Sequence, residues 1–320
     1  MESSETPQQI TSETKEIIKY PSDVIPFMDK WKILLGDGTY ENDIINYKKE
    51  NFFYIEHDGQ GDWVVYKTPN SGITSKTSSN TRTELGEKAR WIPETGGRLT
   101  RTLKVQQVST TGNADVASSY SVVVGQIHSD EGHENEPLKI YYKKFPNHTK
   151  GSVFWNYEIN TEGDNSGRWD YSTPVWGYDF SVVGSNSTTY PKEPKDGIAL
   201  GEVFSYEINV HNGLMSLTFT SEGHESKTFT KSLIASDFTT SSKIPQQIVK
   251  MYGSKRPIGV ERTNAYAGEL NYFKQGAYNQ ANGKTTKSET YAGDIEKQYA
   301  NGSYAEVWFK EATLRKGTVH

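Results

Sequence analysis

The chain of 320 residues carries 12% aromatic but only 33% hydrophobic residues, no cysteine and a formal net charge of -5. Zero cysteine excludes disulfides, thiolate metal sites and a cysteine nucleophile. The acidic total argues against nucleic acid as a partner and leaves only a local basic groove for any polyanion.

No run reaches the ~18 apolar residues of a membrane span, so no membrane partner is expected. The aromatic content suits a sheet protein, because Tyr, Trp, Thr and Val favour pleated surfaces. In chain order, residues 1–20 are polar and read as a disordered lead-in. They hold neither the basic n-region nor the apolar h-region of a signal peptide. Order begins near "DVIPFMDKWKILLGDG", an apolar segment closed by a Gly-Asp-Gly turn.

Strands are predicted at 62–68, 97–108, 119–128, 138–145, 152–160, 269–280 and 303–314, between Gly, Asn, Ser and Asp breakers. The segment 204–221 is a hairpin, two alternating runs joined through Asn212-Gly213. Residues 231–238 read as one short helical turn. The stretch 129–197 is rich in Gly, Asn, Asp, Ser, Pro and Trp and reads as loops, with Trp155, Trp169 and Trp176 placed to wall off one end of a groove. The predicted architecture is therefore all-β: residues 21–320 form a single sandwich or jelly roll with enlarged loops at about 129–200.

Three segments break the rule that a sandwich strand turns a clean apolar face to the core. In "YFKQGAYNQ", period two puts Tyr272, Lys274, Gly276, Tyr278 and Gln280 on one face. In "SNTRTELGE", Asn80, Arg82, Glu84 and Gly86 share a face. In "GQIHS", Gln126 and His128 do. Val122 and Val124 have the parity of Gln126, so that face turns from apolar to polar unless a bulge intervenes.

The pooled set lacks an ordinary nucleophile and a carboxylate pair. It offers a guanidinium, an amide, an imidazole and a phenol. Those groups suit neutralising a substrate carboxylate, removing the adjacent carbon-bound proton and protonating a leaving oxygen. Taken singly, each has a plainer reading: Arg-x-Glu as a cross-strand ion pair, Gln-x-His as a surface pair, a Tyr-rich strand as mere sheet.

Together the three segments resemble the signature motifs of the alginate lyases of polysaccharide lyase family 7. Arg82-Thr83-Glu84-Leu85 matches the family's Arg-Ser/Thr-Glu-Leu/Val-Arg, Gln126-Ile127-His128 its Gln-Ile/Val-His, and Tyr272 to Gln280 its Tyr-Phe-Lys-x-Gly-x-Tyr-Asn-Gln. The likeness spans about Phe27 to Leu314. One position departs: Gly86 stands where the family has a second arginine, and Arg90 is a candidate replacement.

The resemblance implies a β-jelly roll sandwich of two antiparallel sheets with a concave substrate groove. It also implies cleavage of the 1,4-glycosidic bonds of alginate by β-elimination, leaving 4,5-unsaturated uronate ends. It assigns Arg82 and Gln126 to the C5 carboxylate, His128 as base and Tyr278 as proton donor to the leaving oxygen. Asn80, Glu84, Tyr272, Lys274 and Gln280 would line the substrate site, Glu84 by orienting Arg82. Ile127 implies guluronate-containing substrate.

No cofactor or metal is implied, and the partner is an anionic polysaccharide met by a monomer. Lys243, Lys250, Lys255, Arg256 and Arg262 are candidates for added positive potential. A polymeric substrate implies a secreted, periplasmic or surface-attached protein whose export signal is absent from this sequence.

The rivals are a carbohydrate-binding jelly roll, a lyase for another polyuronate, a glycoside hydrolase and a metal site. The hydrolase reading has only Asp294-Ile295-Glu296 as a carboxylate fragment. The metal reading has "HSDEGHENE" (128–136), whose acids read better as a solvated loop.

Overall fold

The computed structural model describes residues 19–74, 78–112, 117, 119–130, 135–163, 166–180, 192–252, 257–281 and 294–320. The expected disordered lead-in therefore lies outside the described residues, save for Lys19 and Tyr20, and so do Lys255 and Arg256. In chain order the strands are β1 (Trp31–Leu34), β2 (Tyr40–Glu41), β3 (Phe53–His57), β4 (Asp62–Pro69) and β5 (Arg82–Glu87). Next come β6 (Arg98–Gln107), β7 (Ser121–Ser129), β8 (Leu138–Lys143), β9 (Lys150–Glu158), β10 (Asp170–Trp176) and β11 (Ile198–Ala199). Last are β12 (Val203–His211), β13 (Leu214–Ser221), β14 (Lys227–Ser232), β15 (Asn271–Asn279) and β16 (Tyr304–Arg315). Among the described residues no helix is long and apolar enough to cross a membrane.

The strands form two antiparallel sheets packed as a sandwich. One runs β10-β9-β8-β7-β15-β5-β1-β2, with β11 beside β9; the other runs β14-β13-β12-β6-β16-β4-β3. Every neighbour on the larger sheet except β1–β2 and β7–β8–β9–β10 is a crossover between distant parts of the chain, as in a jelly roll. The hairpin at β12–β13 shows how local chemistry sets register. Phe204, Tyr206, Ile208 and Val210 face Met215, Leu217 and Phe219 in the core, and the turn residues Asn212 and Gly213 take φ of 50° and 76°.

Three departures from the sequence reading have physical causes. Residues 231–238 make no helix; Lys231 and Ser232 end β14, an edge strand whose alternation is too polar to read from sequence. The stretch after His128 supplies, besides the expected strands β8 and β9, a further strand β10 that widens the larger sheet. Trp155, Trp169 and Trp176 are 5%, 2% and 2% exposed and sit in the core between the sheets, so they wall off nothing.

Two irregularities aim the polar rows. Val122 and Val124 lie in the core while Gln126 faces the groove, because the pairing of β7 with β8 shifts between Val123 and Gly125. A Cβ on Gly125 would meet the Tyr206 hydroxyl at 2.5 Å. On β15 the register against β7 shifts between Gln275 and Tyr278. Gly276, at φ 144°, has backbone where a Cβ would sit 2.4 Å from the Thr83 carbonyl oxygen, so only glycine fits. The amides on the core side of β15 are not misplaced: Gln275 donates to the Tyr66 hydroxyl and Asn279 to the Asn70 side-chain oxygen.

Candidate active site

Adjacent strands β5, β15, β7 and β8 bring one transverse row together, Gly86–Lys274–Gln126–Lys139, each opposite the next. A second row runs Arg82–Tyr278–Val123–Tyr141–Phe154, and Tyr272 pairs with His128. At the centre Glu84 receives donors from three strands. Its Oε2 lies 3.4 Å from Arg82 Nη1 and 3.0 Å from Lys274 Nζ, and Oε1 accepts from Gln126 Nε2. The Glu84 side chain is 1% exposed, so these are low-dielectric contacts.

Arg82 also donates from Nη2 to Ser78 Oγ at 2.8 Å, and its guanidinium carbon lies 3.8 Å from the centroid of the Tyr278 ring. Burial works against the charge on Arg82, but Tyr278 and Glu84 outweigh it and hold its pKa above the ordinary value. Burial pulls the Lys274 pKa down, although Glu84 opposes it. The site is thus a set of donors gathered on one buried carboxylate.

His128 lies at the edge of that set. Its Nδ1 is 2.7 Å from the Ser129 carbonyl oxygen, which can only accept, so in the neutral ring the proton sits on Nδ1 and Nε2 carries the lone pair. Burial, then Lys274, pull its pKa down to about 4, against Glu136 and the Ser129 carbonyl. At neutral pH it is therefore an unprotonated base. Its ring lies 5.2 Å from that of Tyr272, whose face is in turn covered by the Arg90 guanidinium at 3.9 Å.

Beyond His128 the face becomes a closed charge network. Lys139 Nζ is 2.8 Å from Glu158 Oε2 and 3.4 Å from both Glu136 Oε2 and Asp170 Oδ1. Against burial, Lys139 and His128 hold Glu136 low; burial pushes Glu158 up. Beyond Tyr278 the face is apolar: Val123, Tyr141, Phe145, Phe154 and Phe180 form a second cluster against which Tyr278 packs. Tyr141 and Phe154 stack at 4.8 Å and 6°.

This fold has counterparts among known proteins. The alginate lyase family profile matches residues 25–316. The chain belongs to that family. It is an alginate lyase, a polysaccharide lyase of family 7. An alginate lyase of Klebsiella pneumoniae is 30% identical over 280 residues, covering 77% of this chain and 76% of that protein. The exolytic family 7 alginate lyase AlyA5 from Zobellia galactanivorans is 69% identical in crystal structure, with a TM-score of 0.91 over 95% of this chain and 100% of that one. The crystal structure of the Klebsiella pneumoniae alginate lyase superposes with a TM-score of 0.66 at 26% identity, over 93% and 99% of the two chains.

In this alginate lyase the sequence-predicted residues fall into two groups. Arg82, Glu84, Gln126, His128, Tyr272, Lys274 and Tyr278 share the outer face of the larger sheet as described. Asn80 precedes β5, its backbone N–H bonded to Ser78 Oγ beside Arg82. Gln280 lies just past the end of β15, its side-chain amide 3.4 Å from the Tyr278 carbonyl oxygen. β5 ends at Glu87, so Arg90 reaches the groove from the following loop, held by Asp130 at 2.6 Å and the Glu87 carbonyl at 2.7 Å.

Sequence reasoning passed over Ser78, Glu136, Lys139 and Glu158. Glu136 was grouped with a solvated acidic loop, yet its side chain is 17% exposed and faces His128; the alternation in "PLKIYYK", which puts Lys139 and Tyr141 on one face, was the available signal. Residues 131–134 of that loop lie outside the described residues, and among the described residues no group of three His, Asp or Glu is placed to hold a metal. Arg262 is tied to Glu269 on a cavity of about 480 Å³ with Asn160 and Ser129, so it adds little free charge to the groove. Asp294 caps a short helix, α1 (Ile295–Ala300), by accepting from the Lys297 N–H, which removes the hydrolase fragment from any strand.

Proposed function

We propose that alginate binds with the C5 carboxylate of the scissile uronate against Arg82 and Gln126, and that His128 and Tyr278 carry out the elimination. The observation that carries this reading is the gathering of Arg82, Gln126 and Lys274 on buried Glu84, beside a histidine that is neutral above about pH 4. A second carboxylate delivered there meets donors already oriented. Neutralising it stabilises the enolate-like intermediate formed when the C5 proton leaves.

His128 Nε2 takes the C5 proton where that proton lies opposite the leaving group. The C4–O4 bond then breaks, C4 and C5 form the double bond, and the Tyr278 hydroxyl gives its proton to O4. Where proton and leaving group lie on the same side, the Tyr278 oxygen takes the C5 proton as its own proton passes to O4, so the hydroxyl is restored. Glu84 orients Arg82, Lys274 and Gln126. Asn80, Tyr272, Lys274 and Gln280 bind neighbouring sugars.

Three finer readings follow. Guluronate-containing substrate is supported by Ile127, whose family counterpart tends to be Ile with such substrates; it is fully buried, so it acts through packing rather than contact. Exolytic action is supported by the apolar cluster beyond Tyr278 and by the exolytic character of the 69%-identical relative. Export is supported by the size of the polymer.

The test is ultraviolet absorbance of the unsaturated uronate on polyguluronate and polymannuronate separately, with sizing of early products. Faster growth on polyguluronate, with only the smallest products appearing early, is expected. Faster growth on polymannuronate, or a ladder of long products, would refute the corresponding reading.

A further inference from the structure

We infer that Lys32 and Tyr40 form a distal subsite at the β1–β2 end of the groove, holding the carboxylate and ring face of a uronate beyond the scissile bond. This rests on the reading of Arg82 and Gln126 as the cradle of the scissile sugar.

In β1, Trp31 and Ile33 are buried in the core, so period two turns Lys32 and Leu34 to the groove. Tyr40 pairs with Leu34 and therefore shares that face, and it is 50% exposed. Lys32 pairs with Gly86, which extends the transverse row to Lys32–Gly86–Lys274–Gln126. At about 4.8 Å per strand, Lys32 stands ~10 Å from Lys274 across the sheet, too far to serve the scissile sugar's own carboxylate.

The other cations nearby are committed. Arg82 and Lys274 hold Glu84, Lys139 holds three acids, and Arg90 holds Asp130 and backbone carbonyls. Among the described residues Lys32 has no ion pair or hydrogen bond; its ammonium lies 5.7 Å from the Tyr40 ring centroid. A cation beside an exposed aromatic face matches a uronate, which is a carboxylate on a ring with an apolar side.

A Cβ at Gly86 would lie 3.6 Å from Lys32 Cε and 3.7 Å from Tyr272 Cε2, ordinary contact distances, so the Lys32 stem and the Tyr272 ring both lie over this position. The charge that the family motif carries at this point is here supplied from the neighbouring strand. The opposite end of the face offers the acids Glu136, Glu158 and Asp170 and an apolar cluster, so a polyanion extends toward Lys32.

The experiment is steady-state kinetics on size-defined oligouronates and polymer with Lys32→Ala, Lys32→Arg, Tyr40→Ala and Arg82→Ala. Lys32→Ala should raise KM about 2–5-fold on long substrates, the scale of one exposed charge contact, with kcat held. The shortest cleavable oligomer should be unaffected, Lys32→Arg should restore KM, and the difference should shrink at high salt. Tyr40→Ala should raise KM on the same long substrates. Unchanged KM at every length in Lys32→Ala, with Arg82→Ala inactive, would overturn the distal subsite alone. Retained turnover in Arg82→Ala would instead remove the reading of the central site.

Discussion

Glu136 Oε1 lies 3.6 Å from His128 Nε2, the nitrogen left with the lone pair by the bond from Nδ1 to the Ser129 carbonyl. That carboxylate faces the atom on which positive charge develops as His128 takes a proton. Glu136→Gln should therefore lower kcat/KM on polyguluronate about tenfold, the scale of one partly buried charge interaction, and lower it less on polymannuronate. Parallel initial rates on the two polymers check this.

The pKa of His128 gives the protein a defined acid limit. Its folded value of about 4 lies below the ordinary 6.5. Activity that needs the neutral ring should persist through pH 5 and fall as pH drops through about 4. The unfolded chain takes up a proton near pH 6.5 that the folded site refuses until about 4, so stability present above 6.5 is lost as pH falls. That loss is up to about 3 kcal/mol. Urea unfolding of the wild type and of His128→Gln at pH 7 and pH 4.5 should show the smaller drop in the variant.

Glu84 is the point at which three strands share one charge. Glu84→Ala strands the buried donors of Arg82, Lys274 and Gln126, and should cost about 3–5 kcal/mol of stability with loss of turnover. Glu84→Gln keeps the shape and should unfold later than the alanine variant while remaining impaired. Denaturant midpoints and initial rates on the same preparations separate the two effects.

Gly276 is the backbone hinge that keeps Tyr278 on the groove face. Gly276→Ala places a Cβ against the Thr83 carbonyl at positive φ, and should destabilise by more than about 1 kcal/mol and depress kcat. Thermal melts and single-turnover rates test this.

The apolar cluster beyond Tyr278 should govern product length. Phe180, 4% exposed, caps Phe154 and Phe145 from the chain after β10. Phe180→Ala should lengthen early products by opening that end, read by chromatography of the first few per cent of turnover.

Much of this was legible in the sequence. The long alternating strands and the Asn212-Gly213 hairpin follow from period and turn chemistry, and "YFKQGAYNQ" displays its groove face openly. The switch of face between Val124 and Gln126 left a bulge as one alternative in the sequence, and the register shift between Val123 and Gly125 is that bulge; its position was not legible, because the close approach of the Tyr206 hydroxyl to Gly125 comes from the other sheet. Trp169 and Trp176 lie among loop-like residues yet, with Trp155, fill the core, and the aromatics that do pack beside Tyr278 are scattered from Tyr120 to Phe180. Glu136 looked solvated because its partners, Lys139 and His128, come from strands whose pairing only the fold specifies.

The most direct test of the central claim is the rate of unsaturated uronate formation by Tyr278→Phe, with alginate binding measured on the same sample. The account predicts a loss of about 10²–10⁴-fold in rate with binding and fold retained, the scale of one general acid–base group. A Tyr278→Phe protein that binds alginate and eliminates at close to the wild-type rate would contradict it.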